Sequence, residues 1–152
     1  MKTIGLIALF MILVGSSCKK QQQAQFHPDS FMFGTVCPMC YIYSSKLYLI
    51  KNNWLYQDSN HFTPASHNFS GPPLATSKYI IATQLISTIP KAISGNQSGS
   101  LGCLGCTDGM FVHIEYTQNG KTLKWDIDPN DSTLSTELRS YIERITTVMG
   151  QL

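Results

Sequence analysis

Hydrophobic and polar positions alternate in two stretches of the chain and recur with a helical period in two others. In SKLYLIKNNWLYQD, two short apolar runs flank Asn52-Asn53. Asparagine tolerates the left-handed backbone that two-residue turns demand, so residues 46–51 and 54–58 are predicted to form a hairpin. In MFVHIEYTQNGKTLKWDID, apolar and polar residues interleave around Asn119-Gly120, with Leu123, Trp125 and Ile127 in strict alternation. An Asn-Gly pair between such runs is the strongest short-range hairpin signal. Each hairpin is followed by a helical stripe. From Lys78 onward, Ile81, Leu85 and Ile89 fall at i, i+4 and i+8, with Thr76 or Ser77 to start the helix and Pro90 to limit it. In PNDSTLSTELRSYIERITTVM, Leu134, Leu138, Tyr141, Ile142, Ile145 and Met149 form the second stripe, with Asp131, Ser132 and Ser135 as candidate caps.

Ahead of each hairpin stands a CxxC pair, Cys37 with Cys40 and Cys103 with Cys106. The order cysteine pair, hairpin, helix therefore occurs twice. The expected fold is α+β: two ββα units forming an antiparallel sheet of about four strands, packed against two helices. Residues 35–152 make a single domain, preceded by a polar tether over 18–34 that contains QQQAQ and the breakers Pro28 and Gly34. The stretch SNHFTPASHNFSGPPLATS has neither period and is long for a loop in a compact domain, a length often associated with function or mobility. SGNQSGSLG reads as a flexible connection.

The first apolar run is of a different kind. Ile4 to Val14 follows Lys2 and precedes the small residues Gly15, Ser16 and Ser17, which is the layout of a secretory signal. About eleven apolar residues are too few for a membrane span, which needs ~20. Cys18 directly follows the small residues, and this junction resembles a bacterial lipoprotein signal. The resemblance implies removal of residues 1–17, a diacylglycerol on the Cys18 thiol and an acyl chain of the palmitate kind on its amine. Several chains anchor stably because each buried CH₂ contributes roughly 0.8 kcal/mol. The plainer alternative is an ordinary signal peptide, with Cys18 incidental. Lys19, Lys20 and glutamines stand where surface-exported lipoproteins of the Bacteroidota carry acidic residues, so the periplasmic face of the cell envelope is the expected location.

That address decides the cysteine chemistry. With Cys18 lipidated, Cys37, Cys40, Cys103 and Cys106 remain, an even number in an oxidising compartment, which favours disulfides in one of three pairings. Local pairs close tiny loops, whereas a crossed pair such as Cys37 with Cys103 would join the two halves and stabilise far more. The alternative is a Cys₄ zinc site. The interval of about 60 residues between Cys40 and Cys103 is far longer than the 15–20 of a zinc ribbon. A redox dithiol at Cys37-Pro38-Met39-Cys40 needs a helix N-terminus to activate it, and the residues after Cys40 are strand-like. Copper held by Met32, Met39 and the thiols is a further reading, although no repeated methionine motif supports it. No cofactor is expected on the disulfide reading; zinc is the alternative.

Charge adds an exclusion. The chain has 11 Lys and Arg against 9 Asp and Glu, with no basic stripe, so no nucleic-acid partner is expected. Charged residues make up only 13% and aromatic residues 11%, which suits strands and an exported surface. His27, His61, His67 and His113 are scattered, with His61 and His67 sharing the long loop. That pair could bind a metal, although solvated loop histidines are the commoner case. Asp126 and Asp128 flank Ile127 on one side of a strand end, a paired carboxylate or simply a solvated terminus. No nucleophile elbow, zincin motif or phosphate loop is present, so catalysis is not expected.

Residues 35–149 resemble a group of small lipoproteins of the Bacteroidota. The resemblance is carried by a GCxxCxDxG segment ahead of a hairpin ending in GKxxxWxID, matched here by Gly102, Cys103, Cys106, Asp108, Gly120, Lys121, Trp125, Ile127 and Asp128. It implies local pairing of the cysteines, because that group has the second pair alone, and it brings no activity. The expected function is a membrane-anchored, non-enzymatic binding or structural module for an envelope protein or small ligand. The alternative is a thiol, disulfide or metal (zinc or copper) handling protein that uses the two CxxC pairs.

Overall fold

Both hairpins form at the predicted turns. In the computed structural model, which describes residues 26–37, 45–60, 67–95, 97–104 and 109–152, Asn52 and Asn53 have φ of 52° and 63°, and Asn119 and Gly120 have 54° and 74°. Two consecutive left-handed residues are the signature of the turn whose twist matches paired strands. The first turn joins β2 (Lys46–Lys51) to β3 (Trp54–Gln57), and the second joins β5 (Phe111–Gln118) to β6 (Lys121–Ile127). The signal segment, Cys18, Cys40, Cys106, Asp108 and His61 lie outside the described residues.

The sheet has six strands rather than four. Ser30–Val36, all but its last two residues assigned by sequence to the tether, is β1, and it lies between the hairpins, antiparallel to β2 on one side and β5 on the other. The ordered domain thus begins ahead of residue 35. SFMFGTV shows no alternation because Phe31 and Phe33 are buried on one face while Met32 and Val36 are buried on the other. A strand covered on both sides loses its period-two signal. The stretch expected to be a flexible connection contributes β4 (Gly99–Leu101), which runs parallel to β6 at the sheet edge. The order is β3-β2-β1-β5-β6-β4, so the sheet is mixed. The sequence of hairpin then helix does recur, but β1 is central and β4 marginal, so the two halves pair differently.

Both helices cover one face. α1 (Thr76–Thr83) starts after Ala75, which makes no side-chain cap, and buries Ala82; the chain then turns, and Leu85 and Pro90 complete its buried edge. α2 (Thr136–Gln151) is capped by Ser135, whose Oγ accepts the Leu138 N–H at 3.3 Å. It buries Leu138, Tyr141, Ile142, Ile145 and Val148. Against them the sheet presents Phe31, Phe33, Tyr48, Ile114, Tyr116 and Trp125. Phe33 stacks between Phe31 and Tyr48 at 5.6 Å centroid separations, and Tyr116 stacks on Trp125 at 5.5 Å. Tyr141 donates its hydroxyl to the Leu85 carbonyl at 3.1 Å, tying α2 to the end of the α1 segment. Lys78 Nζ donates to the Leu152 carbonyl. No described helix is long and apolar enough to cross a membrane.

Candidate functional site: the helix-free face of the sheet

Alternation along β5 sends Val112, Ile114 and Tyr116 to the core and turns Phe111, His113 and Glu115 to the opposite face. The strand register then aligns one row across that face: Leu47 opposite Gly34, Gly34 opposite His113, and His113 opposite Asp126. Gly34 has φ of +153°, and a Cβ there would collide with the Lys46 carbonyl oxygen. The row therefore lacks a side chain at its centre, beside His113.

His67, from the segment that returns over this face, approaches within 6.2 Å of the His113 ring, centroid to centroid. The base of that segment is organised by Asp58, 5% exposed, which adjoins Leu47 through a backbone hydrogen bond of 2.9 Å. Asp58 Oδ1 accepts the backbone N–H groups of Asn60 and Asn68 at 2.9 and 2.8 Å, and its Oδ2 lies 3.4 Å from His67 Nδ1. A buried carboxylate is tolerable only when its oxygens are satisfied in this way. Met32, Leu47 and Val36 are buried beneath this side of the sheet and belong to no part of the main core cluster.

His113 is the most constrained group. It is 8% exposed, its Nδ1 is 2.7 Å from Asp126 Oδ1, and its Nε2 is 4.0 Å from Glu115 Oε2. The hydrogen bond from His113 holds the Asp126 carboxyl below its ordinary value of 3.8, against an opposing upward push from burial. His113 Nε2 is sealed from solvent and has no hydrogen-bond partner among the described residues. The His113 residue lines a cavity of about 240 Å³, walled on its apolar side by Val36, Leu104 and Phe111 and on its polar side by His67, Glu115, Lys124 and Asp126. A wider cleft of about 650 Å³ opens between Asn52-Asn53 and the residues around Thr83. No buried unpaired side-chain atom lines it among the described residues.

The predicted site residues are partly gathered here. Cys37 follows Val36, which pairs with Phe111, while Cys103 follows Leu101, which pairs with Ile127 opposite Val112. Both CxxC segments therefore start from the same end of the sheet, beside the cavity that Val36 and Leu104 share. Cys37 is 5% exposed, and both it and Cys103 are engaged rather than free. Among the described residues no three His, Cys, Asp or Glu side chains converge into a metal-ligand set.

Asp126 and Asp128, read as a paired carboxylate or a solvated strand terminus, separate. Asp126 joins His113, whereas Asp128 turns into the following loop, where its Oδ1 accepts the Asn130 N–H at 2.9 Å. Gly102, with φ of +88°, lets the chain pass over that loop, since a Cβ would lie 2.8 Å from the Asp128 Cβ and 2.9 Å from Asp131 Oδ2. His67, read as a solvated loop histidine or a metal candidate, stands beside Asp58. The His113 and Asp126 pair could have been found in sequence, because a two-residue turn at Asn119-Gly120 sets the sixth residue before it against the sixth after it. Comparison with protein-family models, curated proteins and solved structures found no match.

Proposed function

We propose that the chain is a lipid-anchored protein of the cell envelope that works by binding, with its ligand seat on the helix-free face of the sheet around His113. His113 Nε2 carries the reading: an acceptor or donor atom buried without a partner costs roughly 1–3 kcal/mol. A fold that retains such an atom beside a cavity, with the other ring nitrogen held by a carboxylate, is built to have it taken up by something else. The histidine and carboxylate are not completed by a nucleophile, because no hydroxyl or thiol meets Nε2 among the described residues. This favours binding over catalysis.

The anchor is Cys18, behind the signal of residues 1–17. The short stretch from Lys19 to Asp29 ahead of β1 would hold the domain within about 40 Å of the lipid surface, at the ~3.3–3.6 Å per residue of an extended chain. The basic and polar residues after Cys18 support the periplasmic face. The four remaining cysteines form disulfides on this reading. Cys37 and Cys103 are both engaged rather than free, and their segments start at one sheet end. Disulfides leave no thiolates for the alternative of zinc or copper held by the CxxC pairs.

Two measurements test the reading. Replacing Cys18→Ala moves the protein out of the membrane fraction; retention there refutes the anchor. For the seat, nitrogen-correlated NMR of the imidazoles in the full chain in detergent micelles is recorded against metal ions, small carboxylates, amines and sugars. At least one of these moves the His113 signals and leaves those of His27 in place. If none does, the seat is wrong.

A further inference from the structure

We infer that the seat takes one divalent d-block cation, zinc being the type, between His113 Nε2 and His67 Nε2, with Glu115 closing on it as the carboxylate ligand. The inference rests on the binding reading above and supplies its ligand. It is independent of the CxxC pairs.

Two histidines share one arrangement here. His113 Nδ1 stands 2.7 Å from Asp126, and His67 Nδ1 stands 3.4 Å from Asp58. A carboxylate on one ring nitrogen keeps the proton there and leaves the other nitrogen as a lone-pair donor, which is the outer-shell arrangement of metal-bound histidine. For His113 that free nitrogen is the buried, unpartnered Nε2. Charge suits a dication. Glu115 and Asp126 stand beside His113 and Asp58 beside His67, against Lys124, the one cation that lines the cavity among the described residues, opposite Glu115 in the strand register.

The distances require only a small closure. Two imidazoles on one zinc, each nitrogen at ~2.0–2.1 Å, place their centroids roughly 5–6 Å apart; here they are 6.2 Å apart. Ligand atoms of a tetrahedral zinc are roughly 3.3 Å apart, and Glu115 Oε2 lies 4.0 Å from His113 Nε2. The three groups thus stand just outside coordinating range of one another, in keeping with the absence of a converged three-residue set among the described residues. His67 supplies the movement, because its side chain is one-quarter exposed and rides on a loop, whereas His113 is fixed in a strand.

The competing occupant of Nε2 is a proton, which would make an imidazolium facing Glu115. Zinc added to the oxidised full chain in micelles separates the two. Equilibrium dialysis with elemental analysis gives one zinc per chain, and the imidazole nitrogen signals of His113 and His67 move while those of His27 stay. His67→Gln weakens binding at least tenfold. Asp126→Asn, which leaves every ligand in place, weakens it by about 10–100-fold, the usual effect of removing an outer-shell partner. Affinity falls with acid as protons displace the metal from the imidazoles. Unchanged affinity in both variants, or binding abolished only by reducing and alkylating the cysteines, overturns the inference. If zinc leaves His113 unmoved while a small organic probe moves it, the metal is wrong and the seat stands. If neither moves it, both fall.

Discussion

Gly34 offers a test of the site's architecture in a single methyl group. Its φ of +153° lies where only glycine is at ease, and the Cβ of an alanine would run into the Lys46 carbonyl oxygen, with the Leu47 Cα at 2.9 Å and the Lys46 carbonyl carbon at 3.0 Å. All three are backbone atoms of the neighbouring strand, so no side chain can swing aside. Gly120 is the control. Its φ of +74° is also positive, but nothing lies within 4 Å of the added Cβ. Gly120→Ala thus carries the conformational cost alone, about 1–2 kcal/mol for one left-handed residue. Gly34→Ala adds the collision, which the β1–β2 ladder must relieve by parting, and is expected to lose at least about 3 kcal/mol, a large share of the 5–15 kcal/mol typical of a whole domain. For roughly 110 described residues, an unfolding entropy of ~2.1 cal/mol/K per residue converts that loss into a Tm lower by about 13 °C. Urea melts at neutral pH measure it directly: with a slope of about 1.5 kcal/mol/M the midpoint falls by about 2 M or more, against about 0.7–1.3 M for the control. If the two variants lose the same stability with unchanged slopes, β1 and β2 do not approach as described, and the gap beside His113 does not arise from Gly34.

The remaining predictions concern single polar contacts. Tyr141→Phe removes the 3.1 Å hydrogen bond to the Leu85 carbonyl, but that oxygen also accepts the Thr88 N–H at 3.3 Å. The loss is therefore near the low end of ~0.5–1.5 kcal/mol by chemical denaturation, and more than about 3 kcal/mol would show that the hydroxyl has another task. Because burial drives the Tyr141 hydroxyl far above its ordinary value, it stays protonated in alkali until the fold opens. Spectrophotometric titration should show one tyrosine ionising only with unfolding. Asp126→Asn probes the His113 pair through pH. The folded-state carboxyl titrates below its ordinary 3.8, so its stabilisation is present above that value and disappears as pH falls through the lower folded value. The gap in stability between the native protein and Asp126→Asn should narrow below pH 3.8; a constant gap from neutral to acid would mean the ion pair contributes nothing.

How far the sequence carries depends on whether a local signal speaks for both faces of an element. The hairpins were legible because Asn52-Asn53 and Asn119-Gly120 leave a two-residue turn little choice of geometry. The terminal helix was legible from its stripe, although only the structure distinguishes Ser135 from Asp131 and Ser132 as the cap. β1 was not legible, because Phe31, Met32, Phe33 and Val36 are all buried and Gly34 reads as a breaker when its role is close backbone approach. β4 escaped because three residues, Gly99 to Leu101, carry no pattern of their own and are held as a strand by β6. The site divided in the same way. The facing of His113 and Asp126 follows from the turn, whereas the approach of His67 depends on Asp58 gathering the ends of a loop, a nonlocal event with no period or motif to announce it.

The two faces of the sheet are stabilised by different means, and this bears on where the function lies. The helical face is closed by apolar packing among Phe31, Phe33, Trp125, Ile142 and Ile145, with buried tyrosine hydroxyls finding carbonyl partners. The other face buries Met32, Leu47 and Val36 away from both described helices. The described part of the segment that carries His67 is held by a polar clamp, Asp58 on the Asn60 and Asn68 N–H groups. Hydrogen bonds of this kind are worth about 1 kcal/mol each, less than the apolar packing of the core. Disulfides rooted beside Val36 and Leu101, as inferred for the CxxC pairs, would limit movement at the one sheet end where both segments begin. His67, one-quarter exposed and set beside Asp58, can approach His113 by the ångström that a ligand requires, while the strand pairing keeps the His113 imidazole and Asp126 in register.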